Sequence, residues 1–474
     1  MSGRRAHADD GQLRLPDWVD GALGAGESAR APRRASAPRR SPAARPSAAA
    51  NAQTALDLSG ADGTAVRRGS RAGSGRPAAA AAPGTANRWL LVVVTSLLLL
   101  YGIVMAYSAS TAQAYFTYGS SFYFLKKQVL FAVVGVAIML VLARIDYALW
   151  RRLAWPVAGF VGFLLLVVLV PGIGTMANGA RRWIDVGGAS LQPSEFAKPA
   201  AVILAAALVA QRPKDILQFR RLAFVAAAAV LPFAVLILAG KDLSTTGIVI
   251  IAAATVLVIA GARWGHLLAL ACTLPVLAGV LIAIEPYRFS RFSAFLDPGA
   301  HASQGAFQAT QALISVAAGQ VSGVGLGDSV QKFGYLPMPS SDMIAGIIGE
   351  ELGLIGIILL VALYLLLAWA GLRIARTCKE PFGKYVAAGI TGAIVVQALL
   401  NLAAALGLLP ILGIPLPLVS LGGSSMVAVL ASIGILLNIS TNRRSFIVAS
   451  PQRRSRAGGG GRNGRPSGAR AGGR

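Results

Sequence analysis

The sequence predicts an all-α polytopic integral membrane protein with about ten transmembrane helices and a long outer-side loop between helices 7 and 8. The first observation is compositional: 55% of residues are hydrophobic, only 13% are charged, and the mean hydropathy is +0.63. Soluble domains carry about a quarter charged residues. The second is that apolar runs suited to a ~30 Å hydrocarbon core recur from Trp89 to Ile439. The third is that basic residues concentrate in alternate inter-helix segments.

Taken in order, the runs lie near 89–107, 124–143, 153–170, 196–210, 222–239, 247–262, 267–284, 343–370, 385–406 and 425–439. Several hold only 15 or 16 clean apolar residues, so their Gly-, Ala- and Pro-rich ends must be buried by neighbouring helices. An even count puts both termini on one side. The segments 144–152, 211–221, 263–266 and 373–384 hold 12 Lys and Arg against Asp146, Asp215 and Glu380. The opposite-side segments balance the two signs, so the positive-inside rule makes both termini cytoplasmic.

The flanks, 1–88 and 441–474, read as disordered basic tails, rich in Ala, Gly, Ser, Pro and Arg and poor in aromatics. They account for +16 of the net charge of +25. A nucleic-acid partner would need a folded basic surface or stacking aromatics, which such tails do not supply; anionic lipid or an acidic partner fits them better. The first apolar segment flows into further spans, so it reads as a retained helix rather than a cleaved signal. Cys272 and Cys378 form no disulfide framework, and His7, His266 and His301 are too scattered for a metal site, so no metal ligation by side chains is expected.

Ionisable groups at membrane depth cost about 2.5–3.5 kcal/mol each on insertion scales, so each calls for a partner or a wet cavity. GARRWIDVGGASLQPSEFAK sets Arg181 and Arg182 in a loop and Glu195 and Lys198 on one face of a helix that starts at Pro193. A self-neutralising pair is one reading. A polar cleft is the other, since adjacent arginines offer fork donors for phosphate or pyrophosphate. Lys241–Asp242 occupies a short turn, where Asp242 is placed to cap the next helix or to face a cleft. Glu350 and Glu351 point about 100° apart on a helix, so one faces a given partner and the other headgroups, water or the long loop. Pro410, Pro415 and Pro417, followed by Gly422–Gly423–Ser424–Ser425, fit a re-entrant hairpin facing a cavity.

The long loop, 285–342, runs to 58 residues and carries Phe, Tyr, Leu and Gln, which marks it as functional rather than a linker and expects it to fold back over the membrane domain. Gly323, Gly325 and Gly327 are a weak match to a nucleotide loop, lacking a preceding strand. With no Walker, kinase or nucleophile-elbow motif either, an enzyme of this kind would draw its energy from an activated substrate.

Taken together, GARRWIDVGG, LQPSEFAK, KDLSTTG, GVGLGDSVQK, IIGEELG and PLPLVSLGGSS resemble the SEDS family (shape, elongation, division and sporulation proteins), in order over about 88–440. GLGDSVQKFGYLP is more similar to the division branch than to the elongation branch. The resemblance implies a ten-helix peptidoglycan glycosyltransferase that polymerises lipid II at the outer face of the cytoplasmic membrane during division, releasing undecaprenyl pyrophosphate. It implies a class B penicillin-binding protein and other divisome proteins as partners, placement at the septum, and no cofactor beyond a divalent cation with the pyrophosphate. Arg181, Arg182 and Lys198 would stabilise the departing pyrophosphate; Glu195, Asp242, Asp342 and Ser424 fall on further substrate-binding positions.

One segment departs from the family pattern. An ungapped alignment from Leu296-Asp297-Pro298 sets His301 where the family's proposed catalytic aspartate stands, and Ala302 at the following proline. Downstream, LPMPSSDM retains Asp342 but not the family's glutamate and histidine. Three readings follow. His301, with a reference pKa near 6.5, serves as base. Asp297 takes over across four residues, at most ~13 Å when extended. Or catalysis is weak, absent or uses Asp342, leaving a scaffold that binds or flips lipid II beside its penicillin-binding partner.

Overall fold

The computed structural model describes residues 83–441 except 178–179, 188, 285–288, 290–291, 294 and 297–303. Both tails, apart from the helical start at Pro83, and both expected bases, Asp297 and His301, therefore lie outside the described residues.

The apolar runs form helices where the sequence expects them. Seven are long and apolar enough to cross a membrane: α1 (Pro83–Tyr118), α2 (Tyr123–Leu142), α5 (Pro193–Gln211), α6 (Phe219–Ala239), α10 (Ile344–Thr377), α11 (Pro381–Ala405) and α12 (Gly423–Ser440). Three further apolar helices, α4 (Ala154–Leu169), α7 (Leu243–Ile259) and α8 (Trp264–Ile284), fall on the other three expected runs. A short basic helix, α3 (Tyr147–Arg152), is capped by Asp146, whose carboxylate accepts from the Ala148 N–H. The core is built where α5, α11 and α12 meet their neighbours: α5 and α12 are mostly buried, while α2 and α6 expose most of their surface, as lipid-facing helices do.

Three features differ from the sequence expectation. The fold is not purely α: β1 (Gly174–Ala177), β2 (Ala180–Val186) and β3 (Ala189–Leu191) form a small antiparallel sheet between α4 and α5. Thr175 pairs with Trp183 and Asp185 with Ser190, with a bulge at Thr175/Met176. Second, the long loop contains a 16-residue helix, α9 (Gln304–Gly319), with Ala312 and Ser315 fully buried. Gln308 ties α9 to the Pro337 carbonyl and Ser315 to that of Gly346, so this half of the segment does fold back onto the helices. Third, α10 is two helices meeting at a kink at Gly353, whose φ of 63° and ψ of −160° are glycine's territory.

The stretch 406–422 between α11 and α12 is irregular, and much of it is buried. Buried non-helical backbone must be satisfied by protein, and side chains of the surrounding helices do so here. Tyr364 donates to the Pro417 carbonyl, Gln397 to that of Pro415, Asn401 to that of Ile414 and Gln128 to that of Ser420.

Candidate functional site

Among the described residues, the buried charged side chains gather at one end of the bundle, where α5, α7, α10 and α12 begin and α4, α6 and α11 end. Glu195 and Lys198, in the opening turns of α5, are 2% and 5% exposed. The Lys198 ammonium donates to Glu195 Oε2 at 2.7 Å and to Gln397 Oε1 at 2.7 Å. A charge at this depth is tolerable only when paired and hydrogen-bonded, and Lys198 is both. A small cavity lies beside the pair, lined by Lys198, Gln397, Val429 and Ser432 among others.

Asp242, Ser424 and Asp342 sit in hydrogen-bonded networks at the same end of the bundle. Asp242 caps α7, accepting from the Thr245 N–H at 3.0 Å and hydroxyl at 2.8 Å. Its second oxygen also accepts from Gln192 Nε2 at 3.4 Å. The Gln192 N–H donates to Ser424 Oγ, which in turn donates to the Ser190 carbonyl, so Ser424 pins β3 to the start of α12. Asn401 donates to the carbonyls of both Asp342 and Ile414, which brings Asp342 against the irregular segment.

The two arginines part company. Arg182 donates to the carbonyls of Gly240 and Lys241, clasping the α6–α7 turn. Its fork is spent on backbone in this arrangement. Arg181 is half-buried, and its Nε finds no partner among the described residues.

A second polar cluster surrounds the break in α10. Glu350 and Glu351 are 2% and 1% exposed. Glu350 accepts from Ser329 Oγ at 2.5 Å, Ser315 Oγ at 3.2 Å and the Val330 N–H at 2.9 Å. Glu351 accepts from Ser108 of α1 at 2.6 Å and from Lys332 at 3.3 Å, and Lys332 also donates to the Gly327 carbonyl. The two carboxylates thus face different sets of partners: Glu350 meets the long loop alone, while Glu351 meets α1 through Ser108 and the loop through Lys332, because the loop wraps two faces of the interrupted turn. Just before the break, the N–H groups of Val324 and Gly325 donate to the carbonyls of Glu350 and Glu351. Those of Leu354 and Ile355 donate to the carbonyls of Gln320 and Val321. The glycine triplet is thus a docking turn: at Gly323 (φ 80°) a Cβ would lie 2.1 Å from the Glu351 carbonyl oxygen.

Gln192, Gln397, Asn401 and Lys332 were not singled out from sequence. Gln397 and Asn401 carried a signal, being polar residues at i and i+4 inside an apolar span. Lys332 carried none, since one lysine in a long loop is ordinary. Among the described residues no group of three or more His, Cys, Asp or Glu is placed to hold a metal ion.

Fold and site together define a polytopic helical membrane protein whose buried charges and irregular backbone converge at one end of the bundle. Residues 88–445 match the cell cycle protein family FtsW/RodA/SpoVE, and the chain belongs to that family. It is similar to stage V sporulation protein E of Bacillus subtilis (strain 168), with 41% identity over 75% of this chain and 97% of that protein. It is also similar to the probable peptidoglycan glycosyltransferase FtsW of Geobacter sp. (strain M18), with 37% identity over 75% and 97%. Among solved structures, it resembles a chain of a peptidoglycan synthase complex that coordinates polymerisation and crosslinking, at 27% identity and TM-score 0.63 over 75% of this chain and 98% of that one. The rod shape determining protein RodA of Thermus thermophilus matches at 26% identity and TM-score 0.54 over 75% and 97%.

Proposed function

We propose that this chain is a peptidoglycan glycosyltransferase of the cytoplasmic membrane that polymerises lipid II. The observation that carries the reading is the buried, charge-bearing centre at one end of the bundle, in a chain 37% identical to a protein named for that activity. On this reading the ten apolar helices all span the membrane, both termini are cytoplasmic, and the polar end opens outward. The partner is a class B penicillin-binding protein within the divisome, at the septum; the synthase complex among the similar structures supports a partner of this kind.

The chemistry follows from the substrate. The 4-hydroxyl of the acceptor sugar attacks the anomeric carbon of the donor as the bond to the pyrophosphate oxygen breaks. The leaving group departs with the electron pair as undecaprenyl pyrophosphate, and the hydroxyl proton passes to a general base. Positive charge near the leaving oxygen lowers the barrier, and Lys198, Arg181 or a divalent cation would supply it. Asp297 and His301 remain the proposed bases.

The test combines purified protein, its cognate class B partner and lipid II, with glycan strands as the readout. Wild type makes polymer, and Asp297→Ala or His301→Ala abolishes it. If His301 is the base, the acid limb of the rate profile lies near pH 6.5 and moves to about pH 4 in His301→Asp. Wild-type protein that makes no polymer with any partner supports the alternative, a lipid II-binding or flipping scaffold. The histidine at the family's aspartate position is what favours that second reading.

A further inference from the structure

The start of α12 carries unclaimed donors. Gly422, its N-cap, has no side chain to cap with. The first intrahelical bond runs from the Met426 N–H to the Gly422 carbonyl. The N–H groups of Gly423, Ser424 and Ser425 therefore have no acceptor among the described residues. An 18-residue helix concentrates roughly half a positive charge at such an end.

Ser425 makes this more than a bare helix terminus. It is 6% exposed, yet its Oγ has no hydrogen-bond partner. Its Cβ lies 3.6 Å from where a Gly422 Cβ would sit, so the side chain lies back beside the free N–H groups. The neighbouring hydroxyl, Ser424, is already engaged with Gln192 and Ser190. Ser425 also stands on the helix face that leads to the cavity. Val429 and Ser432, four and seven residues on, share its face of α12 and line the space with Lys198 and Gln397. Gln397 in turn holds the carbonyl of Pro415, whose side chain flanks Gly422.

We infer that the first turn of α12, with Ser425 as its hydroxyl donor, is an anion site that takes the pyrophosphate of a polyprenyl-linked substrate or product. Free N–H groups, a helix dipole, an idle buried hydroxyl and a lysine along the same cavity form an arrangement suited to phosphate. This deepens the glycosyltransferase reading and rests on it for the polyprenyl carrier; the geometry alone specifies the anion.

The test measures binding of undecaprenyl pyrophosphate to the purified full-length chain in detergent, in wild type, Ser425→Ala, Ser425→Thr and Ser425→Asp. Asp is informative because a carboxylate in the first turn favours the helix while occupying the anion's place. The expected result is about three- to ten-fold weaker binding in Ser425→Ala, more than about ten-fold in Ser425→Asp, and near wild-type binding in Ser425→Thr. Thermal stability of Ser425→Asp should equal or exceed wild type, so lost affinity is not lost folding. Inorganic pyrophosphate should compete in wild type and fail in Ser425→Asp, while binding of neutral undecaprenol should be the same in all four proteins. Retention of wild-type affinity for undecaprenyl pyrophosphate in Ser425→Asp overturns the site, even if the protein polymerises lipid II. Conversely, a wild type that binds through this turn but makes no polymer defeats the glycosyltransferase reading and leaves the anion site standing.

Discussion

Two regions of this protein hold non-helical backbone inside a helical bundle, and they satisfy it by different means. In 406–422 the carbonyls are met by side chains rooted in membrane helices, among them Gln128, Tyr364, Gln397 and Asn401. At the interruption of α10 the backbone of the long loop does this: Val324 and Gly325 donate to α10 carbonyls, the carbonyls of Gln320 and Val321 accept from α10 N–H groups, and Glu350, Glu351 and Lys332 fasten the contact. The first arrangement is built into the scaffold. The second exists only while the loop is docked, because orphaned backbone groups at this depth are costly. The bundle thus offers a fixed platform on one side of the site, and on the other a loop whose seating and the helix break stabilise each other.

The sharpest way to break this contrast is Lys332→Met. It leaves the Glu351 carboxylate buried with Ser108 alone and should cost about 3–5 kcal/mol. Thermal unfolding in detergent should show the loss, and Lys332→Met/Glu351→Gln should recover part of it in a double-mutant cycle. Hydrogen exchange should rise at 319–333 and 349–355 but not at 406–422; a rise spread evenly over both regions would dissolve the distinction.

A somewhat smaller effect is expected of Gly323→Ala. The added Cβ meets the Glu351 carbonyl and the residue must hold a positive φ, together costing about 2–4 kcal/mol. Polymerisation should fall while the protein still assembles in the membrane, since the platform is untouched.

Asn401→Leu probes the other side. It removes the donor to Ile414 and Asp342 and should cost about 1–3 kcal/mol, with exchange rising at 406–422 and not at the α10 break. Least damaging is Asp242→Asn, since asparagine caps a helix about as well as aspartate and the change should stay within about 0.5 kcal/mol. A loss of polymerisation in Asp242→Asn without loss of stability would assign Asp242 a role in the reaction beyond its cap.

Much of this was legible in the chain. Each of the ten apolar runs falls on a helix, and seven of these are long and apolar enough to cross a membrane, because an apolar segment at that depth must satisfy its own backbone. Glu195 and Lys198 were readable as a pair because i,i+3 spacing on one helix is local information. The small sheet was missed, although the Asn178–Gly179 dipeptide is a hairpin signal; the membrane reading of its neighbours obscured it. The loop's helix was missed because a mixed, moderately polar segment of 16 residues is helical here by virtue of packing on α10.

The sequence by itself determined the membrane class, the order and position of the helices, the proline-broken segment and the local ion pair. Each depends on composition or on spacing within one turn. Tertiary structure alone decided which distant groups meet. Lys198 is shared with Gln397, some two hundred residues away, Ser424 is occupied while Ser425 is idle, and two adjacent carboxylates both face one loop. A donor's partner across the bundle depends on how helices pack and where their ends lie, and no periodicity in the chain records that.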